Sequence, residues 1–125
     1  MKQIEDFETR IIIAGSRKFT NYEKLESEVL GFLDSINSDD LCIISGGAKG
    51  ADWLGEQFAK NHNIPLFVFK ANWDKYGKMA GPIRNREMAK YATHLIVFIA
   101  NDSKGSKDMY NVAIENSIIS KRIFI

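Results

Sequence analysis

The sequence is poor in the residues that cross-link or interrupt small proteins. It has one cysteine, two prolines and two histidines among 125 residues. A lone Cys42 cannot form an internal disulfide, which favours a reducing compartment. Neither His62 nor His94 has a cysteine or histidine at zinc-ligand spacing. We therefore expect a fold that its hydrophobic core stabilises without a metal or a disulfide.

Long apolar runs and a dominant charge sign are also missing. No run approaches the roughly 20 apolar residues that a membrane-spanning helix needs, and residues 1–8 mix both charges without a signal-peptide core. The net charge of +1 argues against a protein that coats nucleic acid through bulk positive charge. We expect a cytoplasmic protein with no membrane partner.

Five short apolar runs rich in β-branched residues predict buried strands, with helical periodicity between them. The predicted strands cover residues 10–14, 41–45, 66–69, 94–100 and 122–125. The predicted helices start after a cap at Thr20 or Asn21, at Ala51, at Pro82 and after a cap at Ser106, and end near residues 36, 61, 91 and 120, with a loop over 70–80. This alternation predicts one domain over residues 1–125, an α/β, Rossmann-like three-layer α/β/α sandwich with a mainly parallel sheet of about five strands.

Ligands of such folds bind at the carboxyl ends of the strands, so the loops there are the first place to look for a site. The loops expected at that edge cover residues 15–20, 46–52, 70–81 and 101–106. The basic residues of segments 15–18, 46–52 and 70–86 are Arg17, Lys18, Lys49, Lys70, Lys75, Lys78, Arg84 and Arg86, against Asp52 and Asp74. If these segments meet, they form a cationic pocket on a nearly neutral protein.

The most informative segment is S-G-G-A-K-G-A-D, residues 45–52. Glycines allow tight turns and a close approach of ligand to backbone, and the helix N-terminus behind them presents free N–H groups. The predicted phosphate-binding residues here are Ser45, Gly46, Gly47, Ala48, Gly50 and Asp52. The segment is neither a Walker A loop nor G-x-G-x-x-G. Two alternatives stay open: a glycine turn that merely links strand to helix, and an Asp52 that merely caps the helix.

A second segment, Gly15-Ser16-Arg17, follows the first predicted strand. The glycine permits a close approach, the serine hydroxyl can bond a phosphate oxygen, and the arginine can bind one with two hydrogen bonds. Three residues form a weak motif, and an arginine at a strand end is often a solvated charge. The segment therefore supports a phosphate site through its expected neighbours.

A third segment, residues 73–88, combines aromatic and basic residues before and within a predicted helix. Gly81 and Pro82 are expected to open that helix, which puts Arg84 and Asn85 in its first turn. Trp73 and Tyr76 precede the helix and are candidates for stacking on a base or ribose. The alternative is that both aromatic side chains simply cover the edge of the sheet.

Together the motifs G-S-R, S-G-G-A-K-G-A-D and W-x-x-Y-G-K-x-A-G-P-x-R-N-x-x-M resemble the SLOG superfamily, and within it the YspA/YpsA-related branch. The resemblance extends from about Arg10 to Ile119, and the second motif is also similar to S-G-G-A-x-G-I-D of the DprA/Smf family of DNA-processing proteins. It implies a Rossmann-like fold, a pocket for nucleotides or their derivatives, and a homodimer or higher homo-oligomer. By motif match it assigns these pocket residues: Gly15, Ser16, Arg17, Gly46, Gly47, Gly50, Asp52, Arg84 and Asn85.

A more distant similarity links the second motif to the LOG family, which hydrolyses the N-glycosidic bond of nucleoside monophosphates. The LOG motif P-G-G-x-G-T-x-x-E ends in a catalytic glutamate, and Leu54 occupies that place in this sequence. Asp52 and Glu56 are the nearest carboxylates, which makes them the candidate catalytic residues.

Three functions are compatible with these observations. The first is binding of a nucleotide or nucleotide-derived ligand, as a sensor or nucleotide-processing module that requires no cofactor. The second is N-glycosidase activity on nucleoside phosphates. The third is binding of single-stranded DNA, in which Trp73 and Tyr76 would stack on bases beside a basic groove.

Overall fold

The computed structural model describes residues 2–101 and 103–125 and contains a five-stranded parallel sheet. The strands are Thr9–Gly15 (β1), Leu41–Ser45 (β2), Leu66–Val68 (β3), His94–Ile99 (β4) and Ile119–Phe124 (β5). Their order across the sheet is β3-β2-β1-β4-β5. The prediction of a Rossmann-like α/β fold is confirmed, and the strand order reverses between β1 and β4.

Helices cover both faces of the sheet. The α-helices are Tyr22–Ile36 (α1), Ala51–Asn61 (α2), Trp73–Tyr76 (α3), Ala80–Tyr91 (α4) and Lys104–Glu115 (α5), with short 3-10 helices at Ile4–Asp6 and Gly77–Met79. Ile11 and Ile13 of β1 belong to the core shared with α1 and α2, whereas Ile12 and Ala14 belong to the core shared with α4 and α5. Because both faces are buried, β1 is apolar at consecutive positions. Of the helices described, none has both the length and the apolar character to cross a bilayer.

Much of the predicted secondary structure agrees with the structure. The predicted bounds of β2 and α2 are correct to the residue, and those of β1, β3 and β4 agree to within one residue at each end. Of the two predicted caps for α1, Asn21 is the one observed, since its side chain accepts a hydrogen bond from the Lys24 N–H at 3.1 Å. These elements follow local sequence signals, namely a continuous apolar run, a glycine turn and a capping side chain.

The segment between β3 and α4 differs from the predicted loop. It contains α3, which Asn72 caps by accepting a hydrogen bond from the Lys75 N–H at 3.1 Å. The following 3-10 turn continues directly into α4, which begins at Ala80 rather than at the predicted Pro82. Arg84 and Asn85 consequently lie in the second turn of α4, where a side chain can reach the sheet edge but the backbone N–H groups are no longer free.

The start of α5 also differs from its prediction. The helix begins at Lys104 with Ser103 in the N-cap position, so the predicted cap Ser106 lies inside the first turn. The Ser103 and Ser106 hydroxyls hydrogen-bond to each other. The two serines thus form a pair at the start of α5, and the helix begins closer to the end of β4 than predicted.

The end of α5 and the start of β5 are each earlier than predicted. The helix ends at Glu115 rather than near residue 120, and Ser117 adopts a left-handed conformation with φ of 57° that stops it. β5 begins at Ile119 rather than at residue 122, because it pairs with β4 along its whole length, from His94 to Ile99. Strand pairing, a long-range interaction, therefore decides where this last strand starts.

Candidate functional site

A cleft of about 270 Å³ opens at the carboxyl ends of β1 and β4, where the strand order reverses. Four parts of the chain line it: residues 14–18 at the end of β1 and just after it, Ala48 before α2 with Asp52 in its first turn, Arg84, Asn85 and Met88 of α4, and residues 103–106 with Met109 of α5. These parts are distant in sequence and meet because β1 and β4 are neighbours in the sheet. This is the position at which doubly wound folds bind their ligands.

Positive charge dominates the cleft. Arg17, Lys18, Arg84 and Lys104 line it, and Asp52 is the one acidic residue among the lining residues that the structure describes. The N-termini of α2 and α5 also face this region and add partial positive charge. Within residues 2–101 and 103–125, no three or more His, Cys, Asp or Glu side chains are grouped to hold a metal ion. The arrangement suits an anionic ligand.

The segment after β1 and the glycine segment after β2 pack directly against each other. The Ala51 N–H donates a hydrogen bond to the Ser16 carbonyl at 3.0 Å. Gly50 has φ of 76°, and a Cβ on it would lie 2.6 Å from the Cα of Arg17. Since no other residue type tolerates both the conformation and the contact, Gly50 joins two walls of the cleft through backbone packing alone.

Arg84 crosses from α4 to the glycine segment. Its Nη1 donates to the Gly46 carbonyl at 2.7 Å, and its Nε donates to the Asn85 Oδ1 at 3.2 Å. A Cβ on Gly46 would lie 3.0 Å from the Arg84 Cζ and 2.7 Å from the Asp52 Oδ2. Because Gly46 has no side chain, the Arg84 guanidinium and the Asp52 carboxyl group can both pack against its backbone.

An acidic residue of α5 supports Arg84 from behind. The Asp108 Oδ2 accepts a hydrogen bond from the Asn85 Nδ2 at 2.9 Å, and the Gly105 carbonyl accepts from the same nitrogen at 3.5 Å. Because both partners are acceptors, they orient the amide with its oxygen toward the Arg84 Nε. Asp108 is thus a positioning residue that acts on Arg84 through Asn85. No sequence motif marks this role of Asp108, since the link exists only where α4 packs on α5.

Asp52 is the buried acid of the cleft, with 5% of its surface exposed. Its Oδ2 accepts a hydrogen bond from the Ala48 N–H at 3.2 Å. Burial raises the pKa of the Asp52 carboxyl to about 6, although the Ala48 N–H and the Arg84 guanidinium act in the opposite direction. A carboxyl with such a pKa can hold or release a proton near neutral pH, and pKa shifts of this kind are frequent at functional sites.

The structure places Glu56 and Ser45 outside the lining of the cleft, although both are predicted site residues. The buried Ser45 hydroxyl donates to the Glu56 Oε2 at 2.7 Å and accepts from the Gly47 N–H at 3.1 Å. The two side chains therefore stabilise the glycine segment from its rear. Glu56 lies one helical turn beyond Asp52 on the same face of α2, and its hydrogen bond to Ser45 holds its carboxylate at the end of β2, outside the lining of the cleft.

Trp73 and Tyr76 lie beside the cleft and are not part of its lining. The Arg17 guanidinium lies 5.4 Å from the centre of the Trp73 ring, and a Cβ on Gly81 would lie 3.4 Å from that ring. The ammonium group of Lys75 lies 5.1 Å from the centre of the Tyr76 ring. Trp73 thus holds Arg17 at the rim by a cation–π contact, and Gly81 gives the ring room to pack on α4.

A second, shallower depression, which we call the outer hollow, adjoins the cleft. It is lined by Gly47, Ala48, Lys49, Gly50 and Trp53, and Ala48 lines both the outer hollow and the cleft. The predicted phosphate segment is consequently shared between two depressions, with Asp52 on one side and Gly47 on the other.

The structure also brings residues to the cleft that the motif analysis did not select. The loop over 101–106 is predicted at this edge, but the contributions of Ser103, Lys104 and Gly105 are not, and residue 102 lies outside the described residues. The first turn of α5 contains no acidic residue, because the helix begins at Lys104 rather than after Ser106 and Asp108 therefore lies in its second turn. Met88 and Met109, interpreted as packing residues, form part of the cleft wall.

The sequence matches the family described as the YspA, cpYpsA-related SLOG family over residues 9–76, more than half of the chain. The chain belongs to this family. The matched region contains both glycine segments and ends at Tyr76, before Arg84 and Asn85 of α4. The match is therefore shorter than the predicted resemblance, which extends to about Ile119. The α4 residues that line the cleft lie outside the match, so their role is argued from the geometry of this chain.

Two known proteins are similar to the chain. It is 30% identical over 90 residues to the Gene 61 protein of Mycobacterium phage D29, which covers 65% of this chain and 68% of that protein. Its fold is similar to that of DNA processing protein A (DprA) from Streptococcus pneumoniae, with a TM-score of 0.75 and 18% identity over 95% of this chain. The chain spans about half, 51%, of the DprA chain. The likeness to DprA concerns the fold, and the family match concerns residues 9–76.

Proposed function

We propose that the chain binds a nucleotide or nucleotide-derived ligand whose phosphate lies in the cleft. The observation that carries this proposal is the convergence of Arg17, Arg84 and the first turn of α5 on one concave surface. Arg17 can bind phosphate oxygens in the bidentate geometry that suits arginine, and Arg84, whose Nη1 and Nε donate to Gly46 and Asn85, can offer its Nη2 to the same phosphate. The N-terminus of α5 adds backbone donors and a favourable dipole.

The rest of the cleft suits the remainder of such a ligand. Met88 and Met109 are almost fully buried and contribute apolar wall, against which a base or ribose can pack. Ser16 and Ser106 line the cleft with polar side chains that can bond to phosphate or ribose oxygens. A concave site with apolar walls and a few convergent polar groups is the usual form of a small-molecule site.

The proposal can be tested by removing the cation that is most firmly positioned. We expect Arg84→Ala to weaken binding of nucleoside monophosphates roughly 10- to 150-fold, corresponding to the loss of about 1.5–3 kcal/mol for a charged hydrogen bond. The matched control is Lys90→Ala, which removes one positive charge from the same helix at an exposed position paired with Glu87. Isothermal titration calorimetry with the four common ribonucleoside monophosphates measures both.

The two variants must differ for the proposal to stand. If Arg84→Ala and Lys90→Ala bind the same ligands as tightly as the unmodified protein, Arg84 does not contact the ligand. If the unmodified protein binds none of the four monophosphates and their diphosphates, the cleft is not a nucleotide site.

A second candidate function is hydrolysis of the N-glycosidic bond of a nucleoside monophosphate, which would yield free base and ribose phosphate. One specific observation favours it, namely the buried Asp52 in the cleft with its pKa raised to about 6. A carboxyl group at such a place can stabilise positive charge on the ribose or donate a proton to the leaving base. Glu56 does not contribute, because its carboxylate is hydrogen-bonded to Ser45.

Chromatographic detection of released base tests this activity. We expect release from one of the monophosphates by the unmodified protein and loss of release in Asp52→Asn, which keeps the shape of the side chain. Equal release by both proteins would exclude Asp52 as the catalytic group, and no release by either would leave binding as the function of the cleft.

A further inference from the structure

The outer hollow is continuous with the cleft through one short piece of backbone. Ala48 lines both depressions, and Gly50, which lines the outer hollow, packs against Ser16 and Arg17, which line the cleft. Gly47 and Gly50 have φ of 73° and 76°, so this backbone turns sharply and exposes its surface between the two depressions. A ligand that passes over Ala48 can therefore occupy both.

The outer hollow has an unusual feature, a large aromatic side chain that the fold does not bury. Trp53 follows Asp52 in α2, yet 54% of Trp53 is exposed whereas Asp52 is almost fully buried. Trp73 on the other side of the cleft is also half exposed, but its ring contacts Arg17 and Gly81. Among the described residues, Trp53 takes part in none of the ring–ring or cation–ring contacts. Its ring is available to a planar ligand group.

We propose that the outer hollow is a second subsite, in which Trp53 stacks on the second base of a ligand with two nucleosides joined through a diphosphate. This inference rests on the proposed function and extends it to a ligand class. One nucleoside and the adjoining phosphate occupy the cleft, the diphosphate passes over Ala48, and the second base lies on Trp53 with Lys49 beside it.

The size of the cleft and the residues of the outer hollow support this division. The cleft has about 270 Å³, slightly less than the roughly 300 Å³ at which sites that enclose a small molecule begin, so a two-ended ligand must extend beyond it. The direction past Ala48 offers both an exposed aromatic ring and a lysine. A tryptophan is the strongest stacking partner that a protein provides for a base, and it does so without reading the base identity.

The test compares two ligand lengths on three proteins. Symmetrical dinucleoside diphosphates and the corresponding nucleoside monophosphates are titrated calorimetrically into the unmodified protein, Trp53→Ala and Trp53→Phe. We expect the dinucleoside diphosphate to bind more tightly than the monophosphate, and Trp53→Ala to reduce that advantage roughly 5- to 150-fold, the range measured for removal of a stacking residue. Trp53→Phe should restore most of it, because phenylalanine keeps a stacking ring. More than half of the Trp53 side chain is exposed, so we expect both variants to fold.

Trp73→Ala serves as the matched control. Since Trp73 acts on Arg17 at the rim of the cleft, its removal should weaken both ligand lengths by the same factor and leave their ratio unchanged. Equal affinities of the unmodified protein for the two lengths, or an unchanged ratio in Trp53→Ala, would overturn the second subsite while nucleotide binding in the cleft stands. Absence of monophosphate binding would instead refute the proposed function and this inference with it.

Titration with a single-stranded oligothymidylate tests the alternative that the outer hollow binds nucleic acid. If it binds more tightly than every dinucleoside diphosphate and loses its affinity in Trp53→Ala, the outer hollow belongs to a nucleic-acid surface and the two-ended small molecule is excluded. We expect the oligonucleotide to bind more weakly than the dinucleoside diphosphate, because the net charge of +1 offers little general attraction to a polyanion.

Discussion

Asp52 should make the folded protein less stable at neutral pH than at acidic pH, contrary to the usual behaviour of carboxylates. Its pKa is raised by burial from an ordinary value of 3.8 to about 6 in the folded state. The folded protein therefore retains the proton more strongly than the unfolded chain, and stability falls as the pH rises from about 4 to about 6. Above that range the penalty is constant, because Asp52 is ionised in both states.

The size of the effect follows from the shift. Each pKa unit corresponds to about 1.4 kcal/mol, so a shift of about two units corresponds to roughly 3 kcal/mol. Asp52→Asn removes the titration and keeps the acceptor for the Ala48 N–H. We expect the difference in unfolding free energy, variant minus unmodified protein, to grow by about 2.5 kcal/mol between about pH 4 and about pH 8, since the unfolded carboxyl is already partly ionised at pH 4.

Urea unfolding followed by tryptophan fluorescence at several pH values measures this difference. Subtraction is essential, because the pKa values of Glu26 and Asp40 are lowered by their hydrogen bonds to His62 and Lys2, and these groups favour the folded state at higher pH. The control is Asp34→Asn, on the exposed side of α1. If the stability curves of Asp52→Asn and the unmodified protein run parallel from about pH 4 to about pH 8, the pKa of the Asp52 carboxyl is not raised in the folded protein and the prediction is refuted.

Two further predictions concern how the cleft is built. Gly50→Ala should lower the unfolding free energy by roughly 2–4 kcal/mol, because residue 50 has φ of 76° and a Cβ there meets the backbone of residues 16–17. Gly31→Ala is the control: it lies in an open position of α1 and should raise the unfolding free energy by roughly 0.5–1 kcal/mol. Equal effects of the two variants in urea unfolding would refute the packing argument. Asp108→Ala should weaken monophosphate binding by less than Arg84→Ala does. Since removing an acid near a cationic cleft by itself strengthens anion binding, a calorimetric gain in affinity would show that Asp108 does not position Arg84 through Asn85.

Local sequence signals were sufficient for most of the fold. The glycine segment between β2 and α2 marks the end of one element and the start of the next, and both bounds are predicted correctly. The predicted loop over 70–80 is wrong because α3 is only one turn long and carries a weak local signal. β5 begins earlier than predicted because its first residues are exposed and polar as well as apolar, and pairing with β4 holds them in the strand.

The same distinction between local and long-range information applies to the candidate site. The sequence by itself determined an alternating α/β fold and two glycine segments at the ends of strands, since these depend on residue order and on conformations that glycine alone tolerates. The tertiary structure alone decided that Glu56 faces Ser45, that Asp108 supports Arg84, and that α5 begins at the cleft. Those facts depend on strand order and helix packing, which bring together residues far apart in the chain, and no local pattern records such distances.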